Sequence, residues 1–241
     1  MKSKRDWWSS SMDNWRNIWS RTRQLPNADP NLQFLIDADG FNSGAGKISE
    51  EAWFTYVRHA ASLMKIQPDD SLFEIGCGSG AFLYPFYKNG HRVSGVDYSP
   101  SLIGIAGFVM PEMDFSVQEA AHVDSTRRFD IVLANSVFQY FPNLEYAEEV
   151  LRIMWEKTNK MLVLLDLNDI QFADEALRIR KGSLSLGEYE KKYAGLEHLF
   201  YERNFAEKAL KGKRFTINTS NQQINNYGNN KFRFNVVIEK W

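Results

Sequence analysis

Acids and glycines come together in one stretch of this sequence. The apolar run 71–75 reads as a short buried strand, and Gly76, Gly78 and Gly80 follow it directly before a helix-like segment, 81–89. Glycines let the backbone turn sharply out of a strand and let a ligand approach with no Cβ in the way. Amides at the start of the following helix favour a polar or anionic group. Asp97 ends the next apolar run, 93–96, at the spacing where a carboxylate accepts hydrogen bonds from a ribose diol. Together these residues predict a nucleoside cofactor held at the C-terminal edge of a parallel sheet. Gly76, Gly78 and Ala81 also satisfy the dinucleotide pattern G-x-G-x-x-G/A, so the glycines alone leave NAD open.

The wider string Glu74-Ile-Gly-Cys-Gly-Ser-Gly80 resembles the first motif of class I S-adenosylmethionine-dependent methyltransferases, which place an acid two residues before the first glycine. Asp97-Tyr-Ser-Pro resembles the end of their second strand, and Phe129-Asp-Ile-Val-Leu-Ala-Asn135 their fourth. The resemblance runs from about residue 48 to the C-terminus. Chemistry favours the same cofactor: S-adenosylmethionine has an ammonium for Glu74 to hold, whereas that acid would repel a pyrophosphate. By the resemblance, Gly76, Gly78 and Gly80 approach the cofactor, Asp97 holds its ribose, and Tyr98 or Ser99 flanks the adenine. Glu119 and Ala120 meet the adenine amino group, and Asn135 and Ser136 the methionine end. The implied product is S-adenosylhomocysteine.

These motifs do not specify an acceptor. Where many small-molecule enzymes of the family have a histidine, this chain has Gln139, which cannot serve as a base, followed by Tyr140. Asp166 ends the fifth strand-like run, where an acid can hold an acceptor. The polar segment beyond it supplies His198, the best base candidate because histidine titrates near neutrality. The catalytic candidates are therefore His198, Tyr140 and Asp166. No Asn/Asp-Pro-Pro-Tyr/Phe follows the fourth strand, and the one cysteine, Cys77, lies in the glycine loop, so a nucleic-acid base is not the expected acceptor. The expectation is methyl transfer to oxygen or nitrogen of a small polar molecule: a sugar, a nucleotide-sugar or a natural-product intermediate. The rival readings are an NAD-dependent oxidoreductase and a non-catalytic S-adenosylmethionine-binding partner protein.

The chain has 241 residues, 44% of them hydrophobic, a net charge of −1 and one cysteine. That suffices for one good core, excludes an intramolecular disulfide and a cysteine-rich metal site, and leaves no basic footprint for nucleic acid. No apolar run is long enough for a membrane span, and the start, Met-Lys-Ser-Lys-Arg-Asp-Trp-Trp, lacks the core of a signal peptide, so the expected location is cytoplasmic.

Positioning these groups requires alternating strands and helices. Strand-like runs fall at 71–75, 92–96, 113–117, 129–134 and 160–166, with helical segments at 81–89, 100–109 and 144–157, and two alternating runs, 214–218 and 232–239, close the chain around the turn Asn-Asn-Tyr-Gly-Asn-Asn. The expected fold is Rossmann-like α/β, a doubly wound, mostly parallel seven-stranded sheet ending in an antiparallel hairpin. Residues 48–241 form the catalytic domain, with 171–211 a helical insertion over the acceptor site. Residues 1–47 form a helical cap and lid loop. Within the cap, 3–24 reads as an amphipathic helix whose Trp8, Met12, Trp15 and Trp19 share a face. That face packs on the domain, covers the acceptor, or makes a homodimer contact.

Overall fold

A computed structural model describes residues 9–25, 30–42 and 47–241. Trp8, Pro26 and the middle of the glycine-rich loop, 43–46, lie outside the described residues.

Strands buried on both faces are rich in apolar residues, and at the centre of the sheet Glu74, Ser94 and Asp97 are the buried polar exceptions. β1 (Leu72–Ile75) and β2 (Val93–Asp97) are buried at every position. β3 (Asp114–Val117), β4 (Phe129–Asn135), β5 (Thr158–Asn168), β6 (Phe215–Asn221) and β7 (Arg233–Lys240) complete a seven-stranded sheet of order β3-β2-β1-β4-β5-β7-β6. The first five strands pair in parallel, and β7 runs antiparallel to both β5 and β6. The predicted architecture, terminal hairpin included, is the one that forms.

Strand side chains alternate between faces, so each strand feeds two cores. Ile131 and Leu133 of β4 and Met161 and Val163 of β5 point to the layer of α2 (Leu32–Ala38), α3 (Glu50–Leu63), α4 (Tyr84–Lys88) and α5 (Pro100–Val109). Val132, Ala134, Leu162 and Leu164 point to the layer of α6 (Leu144–Lys157) and α9 (Phe205–Ala209). Side-chain oxygens start the main helices: Ser49 accepts from Ala52 N ahead of α3, Ser99 from Leu102 N ahead of α5, and Asn143 from Tyr146 N ahead of α6.

Three segments differ from the expectation. The N-terminal helix α1 spans Ser9–Trp19 and stops short of residue 24. α2 forms between the N-terminal helix and the expected lid loop, where the sequence named no helix: Asn31 caps it by accepting from Phe34 N at 3.0 Å, and Leu32, Leu35 and Ile36 bury one face. The 171–211 segment divides into α7 (Ala173–Lys181), α8 (Leu186–Tyr193) and α9. Gly182 and Gly195 break it with φ of 55° and 71°, and an extended stretch ends in a bridge between Asp169 and Tyr201. Among the described residues, no helix is long and apolar enough to cross a membrane.

Candidate active site

A cavity of about 320 Å³ opens at the C-terminal edge of the parallel strands. Parallel sheets place ligands at this edge, where loops from neighbouring strands converge. Glu74, Gly76, Gly78, Asp97, Tyr98, Asn135, Ser136, Tyr140 and His198 all line it. A smaller adjoining pocket, lined by Tyr98, Glu119 and Ala120, shares Gly76, Asp97 and Tyr140 with the first.

Glu74 is 2% exposed, and among the described residues its Oε2 has no hydrogen-bond partner. Burial, with the neighbouring charges of Asp39 and Asp97, holds its carboxyl well above the usual range. Asp97 accepts from Gly78 N at 3.1 Å and Ser99 N at 2.8 Å, which folds the glycine turn around it. Burial outweighs those amides and lifts its pKa to about 6. Asp39, at the end of α2, accepts from Ser79 N at 2.7 Å, and burial lifts its pKa to about 7. Three acids thus converge on one cavity, and an ammonium-bearing cofactor fits them. Gly76 and Gly78 hold φ of 72° and 54°; a Cβ at the first would strike Val137 and one at the second the Asp39 carboxylate, each at 2.4 Å. No side chain but hydrogen fits this cradle.

Not every predicted residue faces the cavity. Gly80 lies against α5, where a Cβ would meet Met110 Cε at 2.4 Å, so it serves helix packing. Ser99 caps α5 and donates to Trp19 O at 2.9 Å. Asp166 lies behind the wall. It accepts from Ser136 Oγ at 2.7 Å, Tyr227 OH at 3.0 Å and Gln222 Nε2 at 3.1 Å, while its own amide donates to Asn235 Oδ1 at 2.9 Å. Asp166, where the β5–β7 register breaks between Leu164 and Leu167, and Ser136, just after β4, both sit in the left-handed region, at φ of 62° and 57°. Such strain in non-glycine residues persists only where surrounding bonds hold it.

His198 lines the cavity, stacked on Trp15 at 5.1 Å and edge-on to Tyr140 at 5.6 Å. Burial and the cations of Arg180 and Arg233 press its pKa to about 3. That lies well below the near-neutral titration expected of a base. Burial likewise holds the Tyr140 phenol above its ordinary value.

Trp19, offered by the sequence as part of a face that could cover the acceptor, lines the cavity, whereas sequence reasoning missed Asp39, Phe41, Tyr227, Asn229 and Arg233 as lining residues. Tyr227 and Asn229 belong to the asparagine-rich turn, which enters the cavity instead of merely reversing the chain. Among the described residues, four of the six buried side-chain atoms without a hydrogen-bond partner belong to lining residues: Trp19 Nε1, Glu74 Oε2, Gln139 Oε1 and Arg233 Nε; the other two are Glu119 Oε1, in the smaller pocket, and Arg180 Nη1. Unpartnered buried polar groups are rare in folded proteins and call for an explanation. A polar ligand supplies one.

Residues 48–207 match a family model described as a methyltransferase domain. The ubiquinone biosynthesis O-methyltransferase of Rhodopseudomonas palustris is 29% identical over 126 residues, covering 50% of this chain and 49% of that one. The matched stretch covers less than two thirds of the length of the curated relatives it meets. Magnesium protoporphyrin IX methyltransferase from Synechocystis PCC 6803, solved with bound S-adenosylmethionine, superposes with a TM-score of 0.57 at 16% identity, over 99% of this chain and 95% of that one. The N-methyltransferase NodS from Bradyrhizobium japonicum WM9, solved with S-adenosylhomocysteine, gives 0.58 at 14% identity, over 96% and 99%. At these identities the structural likeness is one of fold.

Proposed function

This chain belongs to the class I S-adenosylmethionine-dependent methyltransferases, and we propose that it methylates an oxygen or nitrogen atom of a small polar acceptor: a sugar, a nucleotide-sugar or a natural-product intermediate. The observation that carries the reading is the unpartnered carboxylate oxygen of Glu74, buried beside Asp39 and Asp97 in a cavity that also takes in Tyr140 and His198. A cation completes the acid side.

In this reading Glu74 receives the cofactor's ammonium, Asp97 its ribose hydroxyls, and Asn135 and Ser136 its methionine end. Tyr98 flanks the adenine, with Glu119 and Ala120 in the smaller pocket at its amino group. S-adenosylmethionine supplies a methyl group already activated on a sulfonium. The protein's remaining task is alignment, and proximity alone can supply about 7–11 kcal/mol of the barrier. His198, neutral in its aromatic slot, accepts a hydrogen bond from the attacking hydroxyl or amine and orients it, and Tyr140 closes the same wall. Asp166 acts at one remove by fixing Ser136 and Tyr227. A neutral amine needs no base at all.

The N-terminal segment is the cap of this site. Trp15 and Trp19 pack on Tyr140 at 4.7 and 5.6 Å, and Trp19 lines the cavity, so the described part of the aromatic face is occupied within the chain. That supports the cap over a dimer contact.

Calorimetry with S-adenosylmethionine, S-adenosylhomocysteine and NAD on the purified chain tests the cofactor. Micromolar binding of the first two with no NAD signal is expected; NAD binding alone would overturn the assignment. Screening small hydroxyl- and amine-bearing acceptors for methyl transfer then tests the substrate class.

A further inference from the structure

Arg233 begins β7 inside the cavity wall. It is 7% exposed and lines the cavity. Among the described residues its guanidinium makes one hydrogen bond, a long one of 3.3 Å from Nη1 to the Asp166 carbonyl oxygen, and Nε has no partner. Asp166 is the acid whose charge it feels most, yet that carboxylate is taken up by Ser136, Tyr227 and Gln222. A guanidinium offers five N–H donors in a planar fork. Burying a cation with most of its donors unsatisfied is strongly unfavourable unless a ligand completes it. Arg180 of α7, whose guanidinium lies over the Tyr193 ring at 4.4 Å behind the cavity wall, adds a second cation whose field reaches His198 together with that of Arg233.

The cavity therefore has two poles. Glu74, on β1, and Asp97, on β2, mark the acid pole. β7 lies three strands from β1 in the sheet, roughly 14 Å at about 4.8 Å per strand. Arg233 pairs with Asn168 at the end of β5, which brings it to the same edge as the glycine loop. The cofactor's ammonium belongs at the first pole with its carboxylate on the same carbon, and the second pole is assigned to an oxyanion of another molecule. A loss of S-adenosylhomocysteine affinity in Arg233→Gln would give that place to the cofactor's own carboxylate and overturn the assignment.

We propose that the acceptor carries an oxyanion, a carboxylate or a phosphoryl group, that seats against the Arg233 guanidinium and sets the acceptor's orientation. The proposal rests on the methyl-transfer reading for the ligand at the acid pole. The anchored oxygen is a handle and not the nucleophile, because a guanidinium partner withdraws charge from the oxygen it holds. The attacking hydroxyl or amine is a different atom of the same small anionic molecule.

Benzoate, its neutral isostere benzamide, and inorganic phosphate are the probes, titrated by calorimetry into the protein saturated with S-adenosylhomocysteine. An anion should bind, with benzamide roughly tenfold weaker than benzoate or worse, the loss expected when a charge-assisted contact is missing. Preference for benzoate assigns a carboxylate, and preference for phosphate a phosphoryl group. Arg233→Gln should weaken the preferred anion by roughly tenfold or more while S-adenosylhomocysteine affinity stays within about twofold. Arg233→Lys, which keeps the charge but loses the fork, should fall between. Equal binding of benzoate and benzamide without phosphate binding, no anion binding at tens of millimolar, or an Arg233→Gln protein that holds both the cofactor product and the anion as well as wild type would overturn the proposal. If Arg233→Gln does not fold, the wild-type benzoate–benzamide comparison decides alone. Failure of wild type to bind S-adenosylhomocysteine would remove the methyl-transfer reading instead, and the anion titrations, run on the ligand-free protein, still test Arg233.

Discussion

Glu74 and Asp97 illustrate two ways for an acid to serve one site. Glu74 has an oxygen with no hydrogen-bond partner among the described residues, whereas Asp97 ties the amides of Gly78 and Ser99 together. Glu74→Gln should therefore weaken S-adenosylmethionine by about 1.5–3 kcal/mol, the scale of a charge-assisted hydrogen bond, and leave the ligand-free melting temperature unchanged or higher. Asp97→Ala should lose similar affinity and stability as well, because two buried amides lose their acceptor. Calorimetry and thermal melts on both variants separate the cases; a Glu74→Gln protein with wild-type affinity would remove Glu74 from the ammonium's shell. Both acids were legible in the sequence because strand, glycine turn and acid are neighbours along the chain. Asp39 and Arg233 were not. Asp39 reaches the glycine loop only because α2 folds back over it, and Arg233 reads as an ordinary charge on an alternating strand until the β5–β7 pairing turns it inward.

At the scale of elements, α1 touches both halves of the site. Arg16 pairs with Glu119 and lies over the Tyr98 ring at 5.8 Å, and Trp19 O accepts from Ser99 Oγ at 2.9 Å. Trp15 Nε1 donates to Glu197 O at 3.1 Å beside its stack on His198. The sequence left the aromatic face of this helix to pack on the domain, cover the acceptor or make a dimer contact, and did not bring it to the cofactor side. With these contacts, deleting residues 1–24 should abolish methyl transfer and also weaken S-adenosylmethionine by about tenfold, since it removes an ion pair and a hydrogen bond behind the adenine side. Unchanged cofactor affinity with lost turnover would confine α1 to the acceptor. The sheet itself was legible throughout, because every strand is an apolar or alternating run between turn signals. The helices around it were less so. α2 is short and lies between prolines and glycines that read as a connection, and the three-part insertion depends on two left-handed glycines that a polar, helix-prone composition conceals.

Over the whole molecule a net charge of −1 hides a segregated interior, and its titration couples stability to ligand. Asp39 is held at about 7 and Asp97 at about 6, with Glu74 also raised. The unfolded chain ionises these groups near pH 4. Between those limits the folded, ligand-free protein binds more protons than the unfolded chain, so these acids make stability fall as pH rises. His198 opposes them at lower pH: held near 3 when folded, it contributes stability that is lost as pH falls through its unfolded value near 6.5. Above about pH 6.5 the imidazole is neutral in both states and its contribution is flat. The ligand-free melting temperature should therefore decline from about pH 6.5 to 8, and Asp39→Asn should flatten the decline. A cationic ligand reverses the balance because it favours the carboxylates, so S-adenosylmethionine should bind more tightly with rising pH across this interval and release protons as it binds. Its thermal protection should grow accordingly, and S-adenosylhomocysteine, which lacks the sulfonium charge, should gain less. Melts at several pH values, with calorimetry in buffers of different ionisation enthalpy, measure both effects. Protection by S-adenosylmethionine that is equal at pH 6.5 and 8, with no proton release, would mean that the acids are already ionised in the ligand-free protein and that a neighbouring cation balances them.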